Sequence, residues 1–394
     1  MSADSRMPDK RLAVILPAAF LASLGIGIVN QGMIFLVKEE YGASATMVGA
    51  FAALWSAAYL AGCVLLRPLA KRIPAPVSMA AMNIAAAALL AAQFAVPGLG
   101  SSFVAFGLYG FSCALFWPRI MGWLARGVEG RALGRSSGAF SFSWSVGGVI
   151  SPYVSGLLTE RSLRLPVYVG ACVFLATGAF ILASRRIAPT PGSEGVSPAG
   201  SPMGGSERSA RIDRSTPLRY PAWIGVFLVY AFVAVFLNIF PLYAKYELGL
   251  SESTIGLVLL ARSASTAFFF WLFGRMSYWH FKPVLIPLAL ACALLLDLAF
   301  AIVRGPWGIA LCLALSGAAM ADIYGKSIFY GASGAPDRDK RMTIHEALLS
   351  AGQVFGSLAG GAIYQGYSWS AVFVGIGALM AVGVVLQTAL IRRR

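Results

Sequence analysis

Hydrophobic positions fall into long runs separated by short polar breaks. The first six lie near residues 12 to 37, 46 to 66, 77 to 96, 102 to 124, 137 to 158 and 165 to 183. After a polar gap, six more lie near 221 to 243, 253 to 273, 284 to 303, 306 to 329, 342 to 364 and 369 to 391. A helix of about 20 residues crosses the roughly 30 Å hydrocarbon core of a bilayer, and each run has about that length. In lipid every backbone polar group must be satisfied within the protein, so lone runs of this kind predict helices. The expected fold is an all-α membrane protein of twelve transmembrane helices in two six-helix bundles.

The gap, residues 185 to 219, is rich in Ser, Pro, Gly and Arg and offers little apolar surface to fold upon. It predicts a tether between a first bundle over 1 to 184 and a second over 220 to 394. Residues 1 to 11 are polar, and the apolar run after them exceeds a signal-peptide core, so it is expected to stay as the first span.

The two halves repeat one another. Trp117-Pro118-Arg119 in the fourth run is answered by Tyr324-Gly325-Lys326 in the tenth, an offset of 207 residues (326 minus 119). The same offset pairs Gln31 with Asn238, Lys38 with Lys245, Glu40 with Glu247, Gly49 with Gly256, Gly110 with Gly317 and Arg131 with Arg338. A doubled, pseudo-symmetric membrane protein follows.

Composition agrees: 58% hydrophobic residues, 12% charged residues and a mean hydropathy of +0.75 exclude an ordinary soluble protein. The net charge of +15 would fit a nucleic-acid partner, but the cations sit on alternate loops. With the N-terminus inside, about 23 Lys and Arg fall on the inner side, about 5 outside and about 3 within spans, which the positive-inside rule explains. No basic stretch carries interleaved aromatics, so no nucleic-acid partner is expected. The expected location is the cytoplasmic (inner) membrane, multi-pass, with both termini cytoplasmic and Arg392-Arg393-Arg394 as an anchor. Cys63, Cys113, Cys172, Cys292 and Cys312 all lie in apolar runs without metal-ligand spacing and read as packing residues.

Candidate chemistry rests on polar groups inside the spans. A Lys or Arg at a span centre costs about 2.5 to 3.5 kcal/mol, so each needs water, a counter-ion or a ligand. Arg119 lies about six residues inward of its midpoint, where it either faces a cavity or snorkels to the interface. Lys326 has Asp322 four residues earlier, the favourable order for a helical ion pair, so a private pair competes with a ligand site. Arg262 lies near the middle of the eighth run, on a face shared with Ser265, Thr266 and Phe269, with Glu346 or Asp322 as the competing partner. Glu346, Ser350, Gln353 and Ser357 recur at helical spacing as one polar stripe expected to face a cavity. His345 reads either as part of proton coupling or as a solvated helix-start residue. Asp297, late in the ninth run, reads as structural. Asn30, Gln31 and Asn238 add neutral polar groups, and Trp117 and Tyr324 add aromatic surface.

Two motifs carry a resemblance. The second run ends in Arg67-Pro68-Leu69-Ala70-Lys71-Arg72 and the eighth in Gly274-Arg275-Met276-Ser277-Tyr278. The fifth holds Gly138, Gly147, Ser151-Pro152 and Ser155-Gly156, small residues that let helices approach closely. With two six-helix halves and a long tether, the chain resembles the major facilitator superfamily over almost its whole length. In that family the loop after the second span carries an acid that forms a charge-controlled latch, but Lys71 and Tyr278 stand in its place here. The fifth-run pattern resembles the antiporter motif of drug exporters, with Ser151 and Ser155 replacing two glycines. The resemblance implies two bundles rocking about a cavity lined mainly by spans one, four, seven and ten.

The expected function is secondary active transport of a small or amphipathic organic anion, exported in exchange for protons. Arg119, Arg262, Lys326, Trp117, Tyr324, Asn30, Gln31 and Asn238 are the candidate substrate contacts, and Asp322, Glu346 and His345 the candidate coupling groups. The alternative is efflux of neutral or cationic apolar compounds, with a sensor or lipid-flipping protein behind it. No nucleophile and base pair is visible, so no enzymatic activity is expected, nor any metal or cofactor beyond the proton as coupling ion. The expected partners are a small-molecule substrate and the bilayer, and the expected assembly is a monomer.

Overall fold

The computed structural model describes residues 10–125, 130–185, 215–273, 275, 276, 278–334 and 338–393. The tether over 186 to 214, Gly274, Ser277 and Arg394 lie outside the described residues. The first six crossing helices are α1 (Leu12–Phe35), α2 (Ala45–Leu65), α3 (Ala75–Ala92), α4 (Leu99–Cys113, then Trp117–Ala125), α5 (Gly130–Arg161) and α6 (Leu165–Ser184). The second six are α7 (Arg219–Asn238, then Phe240–Tyr246), α8 (Glu252–Phe273), α9 (Leu285–Phe300), α10 (Pro306–Ala332), α11 (Arg338–Gly366) and α12 (Trp369–Arg392). Among the described residues ten helices are long and apolar enough to cross a membrane, and α5 and α9 complete the twelve. The expected all-α, two-bundle architecture is the observed one.

Local chemistry sets the ends and breaks. Ser44 and Ser368 cap α2 and α12, each hydroxyl accepting from the backbone N–H three residues on, at Met47 and Ala371, both 3.2 Å away. The turns from α1 to α2 and from α7 to α8 pass through Gly42 (φ 66°) and Gly249 (φ 65°), 207 positions apart (249 minus 42) and both in the left-handed region that favours glycine. Two helices that read as single runs are broken. α4 loosens between Cys113 and Trp117 ahead of Pro118, and α7 at Ile239 ahead of Pro241, because proline removes a donor and crowds the preceding turn. α1 ends instead in a π turn over Leu36–Glu40.

Each bundle has its own core. In the first, Phe51, Phe106, Tyr109 and Phe174 pack together; in the second, Phe232, Phe236, Phe300, Phe373 and Trp369 do. Within the first bundle α1 lies along α5, and the Ser155 hydroxyl donates to the Ile28 carbonyl oxygen at 2.9 Å. The small residues of α5 therefore do pack helices: Gly147 sits against the Phe20 carbonyl, and Ser151 against Gly27.

Between the bundles run two pseudo-symmetric seams, α2 against α11 and α5 against α8. A Cβ on Gly49 would overlap the Ser357 carbonyl oxygen, and one on Gly361 would come within 2.6 Å of the Ala45 carbonyl oxygen. In the other seam a Cβ on Gly156 would overlap the Glu252 carbonyl oxygen, and one on Gly256 that of Pro152. Side chains cap the opposing helices in the same crossed way. The Thr46 N–H donates to Gln365 Oε1 and the Ser253 N–H to Glu160 Oε1, each at 2.9 Å. Lys245 adds a bond to Glu39 of the first bundle at 2.5 Å and pairs with Glu252 of its own. All these contacts lie on the face opposite the tether, so the cleft between the bundles is shut there.

Candidate functional site

The cleft holds two levels of polar groups. Nearer the shut face is a small cavity of about 80 Å³ bordered by Asn30 of α1, Phe51, Trp55 and Ser56 of α2, Asn238 of α7 and Gln353 of α11. Its walls come from both bundles. The Ser56 hydroxyl donates to Gln353 Oε1 at 3.3 Å, and Asn238 Nδ2 donates to the Ser357 hydroxyl at 2.8 Å. Asn30 Oδ1 is buried without a hydrogen-bond partner. Gln31, one residue on, is buried at 6% exposure and does not border this cavity.

Toward the tether, Glu346 of α11 is exposed, although it sits in a helix of the bundle interface. It lies within electrostatic reach of Tyr59 and Cys63 across the cleft and of Tyr230 and Tyr324 in its own bundle. Such neighbours, from both bundles, place it in the cleft. Tyr324 stands 6.1 Å from Tyr230, 5.2 Å from Phe270 and 5.0 Å from His345, ring to ring.

The three embedded cations part company. Lys326 donates to Asp322 Oδ2 at 2.6 Å and to the Leu285 carbonyl oxygen at 2.5 Å, and its side chain is 4% exposed. Expected as a substrate contact and a coupling group, Lys326 and Asp322 are instead committed to one another and to α9. Removing one member of such a pair costs about 3 to 5 kcal/mol, because the other is left buried and uncompensated. Lys326→Met is thus expected to lower the melting temperature of the purified protein sharply, and Lys326→Met with Asp322→Leu to restore most of it. Arg119 bonds the Ile73 carbonyl oxygen in the loop between α2 and α3. That contact draws it to the tether-side rim, as snorkelling would. Trp117 meets Phe116, Phe140 and Trp144 edge-on inside the first bundle.

Arg262 differs from both. It is 7% exposed, its Nη1 contacts the Met320 sulfur at 3.4 Å and its Nη2 the Ser263 hydroxyl at 3.3 Å, and Nε has no partner. Among the described residues no carboxylate pairs with it. Tyr230 lies within electrostatic reach of both Arg262 and Glu346.

His345 corrects a second expectation. It is 1% exposed, with Nδ1 2.8 Å from the Ser327 hydroxyl and Nε2 unpartnered, so it is a buried residue of the α10–α11 contact rather than a solvated helix start. Asp297 is fully buried, both carboxylate oxygens without a partner, and a Cβ on Gly377 of α12 would come within 3.0 Å of it. Asp297, read from the sequence as structural, thus lies in the packing of α9 against α12.

Sequence reasoning passed over Trp55, Ser56 and Tyr59. The repeat could have found the first, because Trp55 stands 207 positions before Arg262 (262 minus 55), so the two occupy matching depths in their bundles. In sequence Gln353 is only one member of the α11 stripe.

A family model described as Major Facilitator Superfamily matches residues 15–221 and again 222–394. The chain belongs to the major facilitator superfamily. It is accordingly a multi-pass membrane transporter rather than an enzyme. Solved structures of similar fold include the nucleoside transporter NupG, at 13% identity and a TM-score of 0.74, covering 97% of this chain and 99% of that one. A mutant of the peptide transporter POT matches at 15% identity and a TM-score of 0.78, covering 98% and 95%. A bacterial homolog of the human lysosomal transporter Spinster, inward-facing and unoccupied, matches at 14% and 0.72, covering 98% and 96%. A comparison with curated proteins finds no match.

Proposed function

We propose that this transporter moves a small organic anion by alternating access, coupled to protons, with Arg262 receiving the negative group and Glu346 carrying the proton. The observation that carries the reading is Arg262, buried in a membrane helix with no carboxylate partner among the described residues. A buried cation without compensation is costly, so a cycle in which the substrate supplies the counter-charge removes a penalty the empty protein bears. Glu346 suits the coupling role because it is exposed, with no cation bonded to it among the described residues. Asp322 cannot serve while it holds Lys326.

Export is proposed on the likeness of the α5 pattern to the antiporter motif. The tether side, with its excess of Lys and Arg, is placed in the cytoplasm, with the protein acting as a monomer in the inner membrane.

A second reading has its own support. Glu346 among the phenols of Tyr59, Tyr230 and Tyr324 is also an environment that would hold an apolar cation.

The two are separated in proteoliposomes loaded with radiolabelled organic acids or cationic dyes under an imposed pH gradient. The proposal expects acid flux that follows the gradient, and in Glu346→Gln anion exchange that persists but ignores it. Dye flux alone would replace the first reading with the second, and acid flux indifferent to both pH gradient and membrane potential in the unmutated protein would end proton coupling.

A further inference from the structure

The cavity near the shut face is lined by side chains that carry no charge. Carboxamides reach it from both bundles: Asn30 from α1, Asn238 from α7 and Gln353 from α11. Their hydrogen-bonding capacity is only partly used. Asn30 Oδ1 is buried with no partner. Gln353 accepts from Ser56 through Oε1, which leaves its amide N–H groups as donors, and Asn238 donates through Nδ2, which leaves its Oδ1 as an acceptor. Each carboxamide offers two donors and an acceptor oxygen. The cavity therefore presents acceptors and donors together, against the aromatic wall of Phe51 and Trp55.

Three kinds of occupant can be compared. An ionised group would meet a lining that offers no counter-charge, which burial penalises. An alkyl group would leave Asn30 Oδ1 and the Gln353 amide unpaired and dry, and sites built to hydrogen-bond a ligand reject analogues that lack the group. An uncharged group bearing both a donor and an acceptor satisfies the wall on both counts. A carboxamide, ureide or nucleobase edge has that character, and about 80 Å³ admits such a head group rather than a whole solute.

We propose that this cavity is a head-group subsite, in which Asn30, Asn238 and Gln353 recognise an uncharged amide-like end of the transported anion. This rests on the organic-anion reading for the other end of the molecule. Arg262 shares the depth of Trp55 through the repeat, which puts the guanidinium and the carboxamides at one level of the cleft. Because the head bonds to residues of both bundles, its binding also joins the halves across the cleft at that level.

The test compares two carboxylates of similar size, succinamate and 4-methylpentanoate, by equilibrium dialysis with the purified full-length protein in nanodiscs. Succinamate is expected to bind at least about tenfold more tightly, the worth of roughly one satisfied hydrogen bond. Asn30→Leu and, separately, Gln353→Met, which keeps side-chain length and packing, should each bring the ratio toward one, by weakening succinamate and removing a polar group that 4-methylpentanoate leaves unpaired. Thermal melting confirms that each variant is folded. Arg262→Ala should weaken both acids by the same factor and leave their ratio unchanged. Equal affinities in the unmutated protein, no binding of either acid, or a ratio that survives in both folded variants would overturn the subsite. A preserved ratio with no effect of Arg262→Ala would remove the anion reading alone and leave the subsite standing.

Discussion

Leucine at Gly49 together with leucine at Gly256 is expected to stop transport and drive the protein out of the state described here, opening the face opposite the tether. At both positions an added Cβ overlaps a backbone carbonyl oxygen of the other bundle, Ser357 for Gly49 and Pro152 for Gly256. Backbone cannot rotate aside as a side chain can, so relief requires the helices to separate. Overpacking of this kind costs about 1 to 3 kcal/mol at each site, which is roughly a five- to 150-fold change in the balance between conformers. The two glycines lie in separate seams without shared partners, so their costs should nearly add. The sum of about 2 to 6 kcal/mol reaches the roughly 5.5 kcal/mol that turns a 99:1 preference into 1:99. The readout is disulfide formation between Thr46→Cys and Gln365→Cys, which face each other across one seam at present. Gly98, where a Cβ meets nothing within 4 Å, provides the control substitution. Unchanged cross-linking in the double leucine variant would show that the seams do not hold the shut state.

Arg262→Ala is expected to reduce anion transport by more than about 30-fold, since truncating one member of a buried charge pair costs about 2 to 5 kcal/mol. The sign of its effect on stability separates a substrate role from a structural one. A structural arginine, bonded throughout the cycle, would leave its partners unpaired and lower the melting temperature. Here the guanidinium has two long contacts, an orphan Nε and no carboxylate among the described residues. Its removal in Arg262→Met, which keeps much of the packing volume, should raise the melting temperature of the substrate-free protein and abolish the further rise that a bound anion gives. A fall in both the melting temperature and expression, with transport of the surviving protein intact, would assign Arg262 to the scaffold.

The repeat was legible well beyond the fold. Gly49 and Gly256 stood out in sequence as equivalent positions, and the structure shows that each seats against the opposite bundle. The turns at Gly42 and Gly249, which only the structure brought out, follow the same offset, and the crossed caps nearly so. Thr46 and Ser253 are 207 apart (253 minus 46), and Glu160 and Gln365 are 205 apart (365 minus 160). The short offset marks a loss of two positions in the second half within α11, between Arg338 and Gln365.

The site was legible only in outline. The polar stripe of α11 and the neutral pair at Asn30 and Asn238 were visible because polar residues in hydrocarbon are costly enough to be conspicuous one at a time. Which charges are already neutralised was not. Lys326 with Asp322 could be suspected from their spacing, but the Leu285 carbonyl that completes the pair comes from α9, and the Ile73 carbonyl that draws Arg119 to the rim comes from a loop 46 residues away.

Periodicity, length and composition by themselves determined that the chain crosses a membrane about twelve times, in two related halves joined by a polar tether, because hydrocarbon leaves a backbone no alternative to long apolar helices. Tertiary structure alone decided which of the embedded charges are satisfied, which face the cleft and which side of it is shut. Those outcomes depend on carbonyl oxygens, amides and glycine surfaces brought together from helices distant in the chain, and one helix's residue pattern carries no record of what its neighbours present to it.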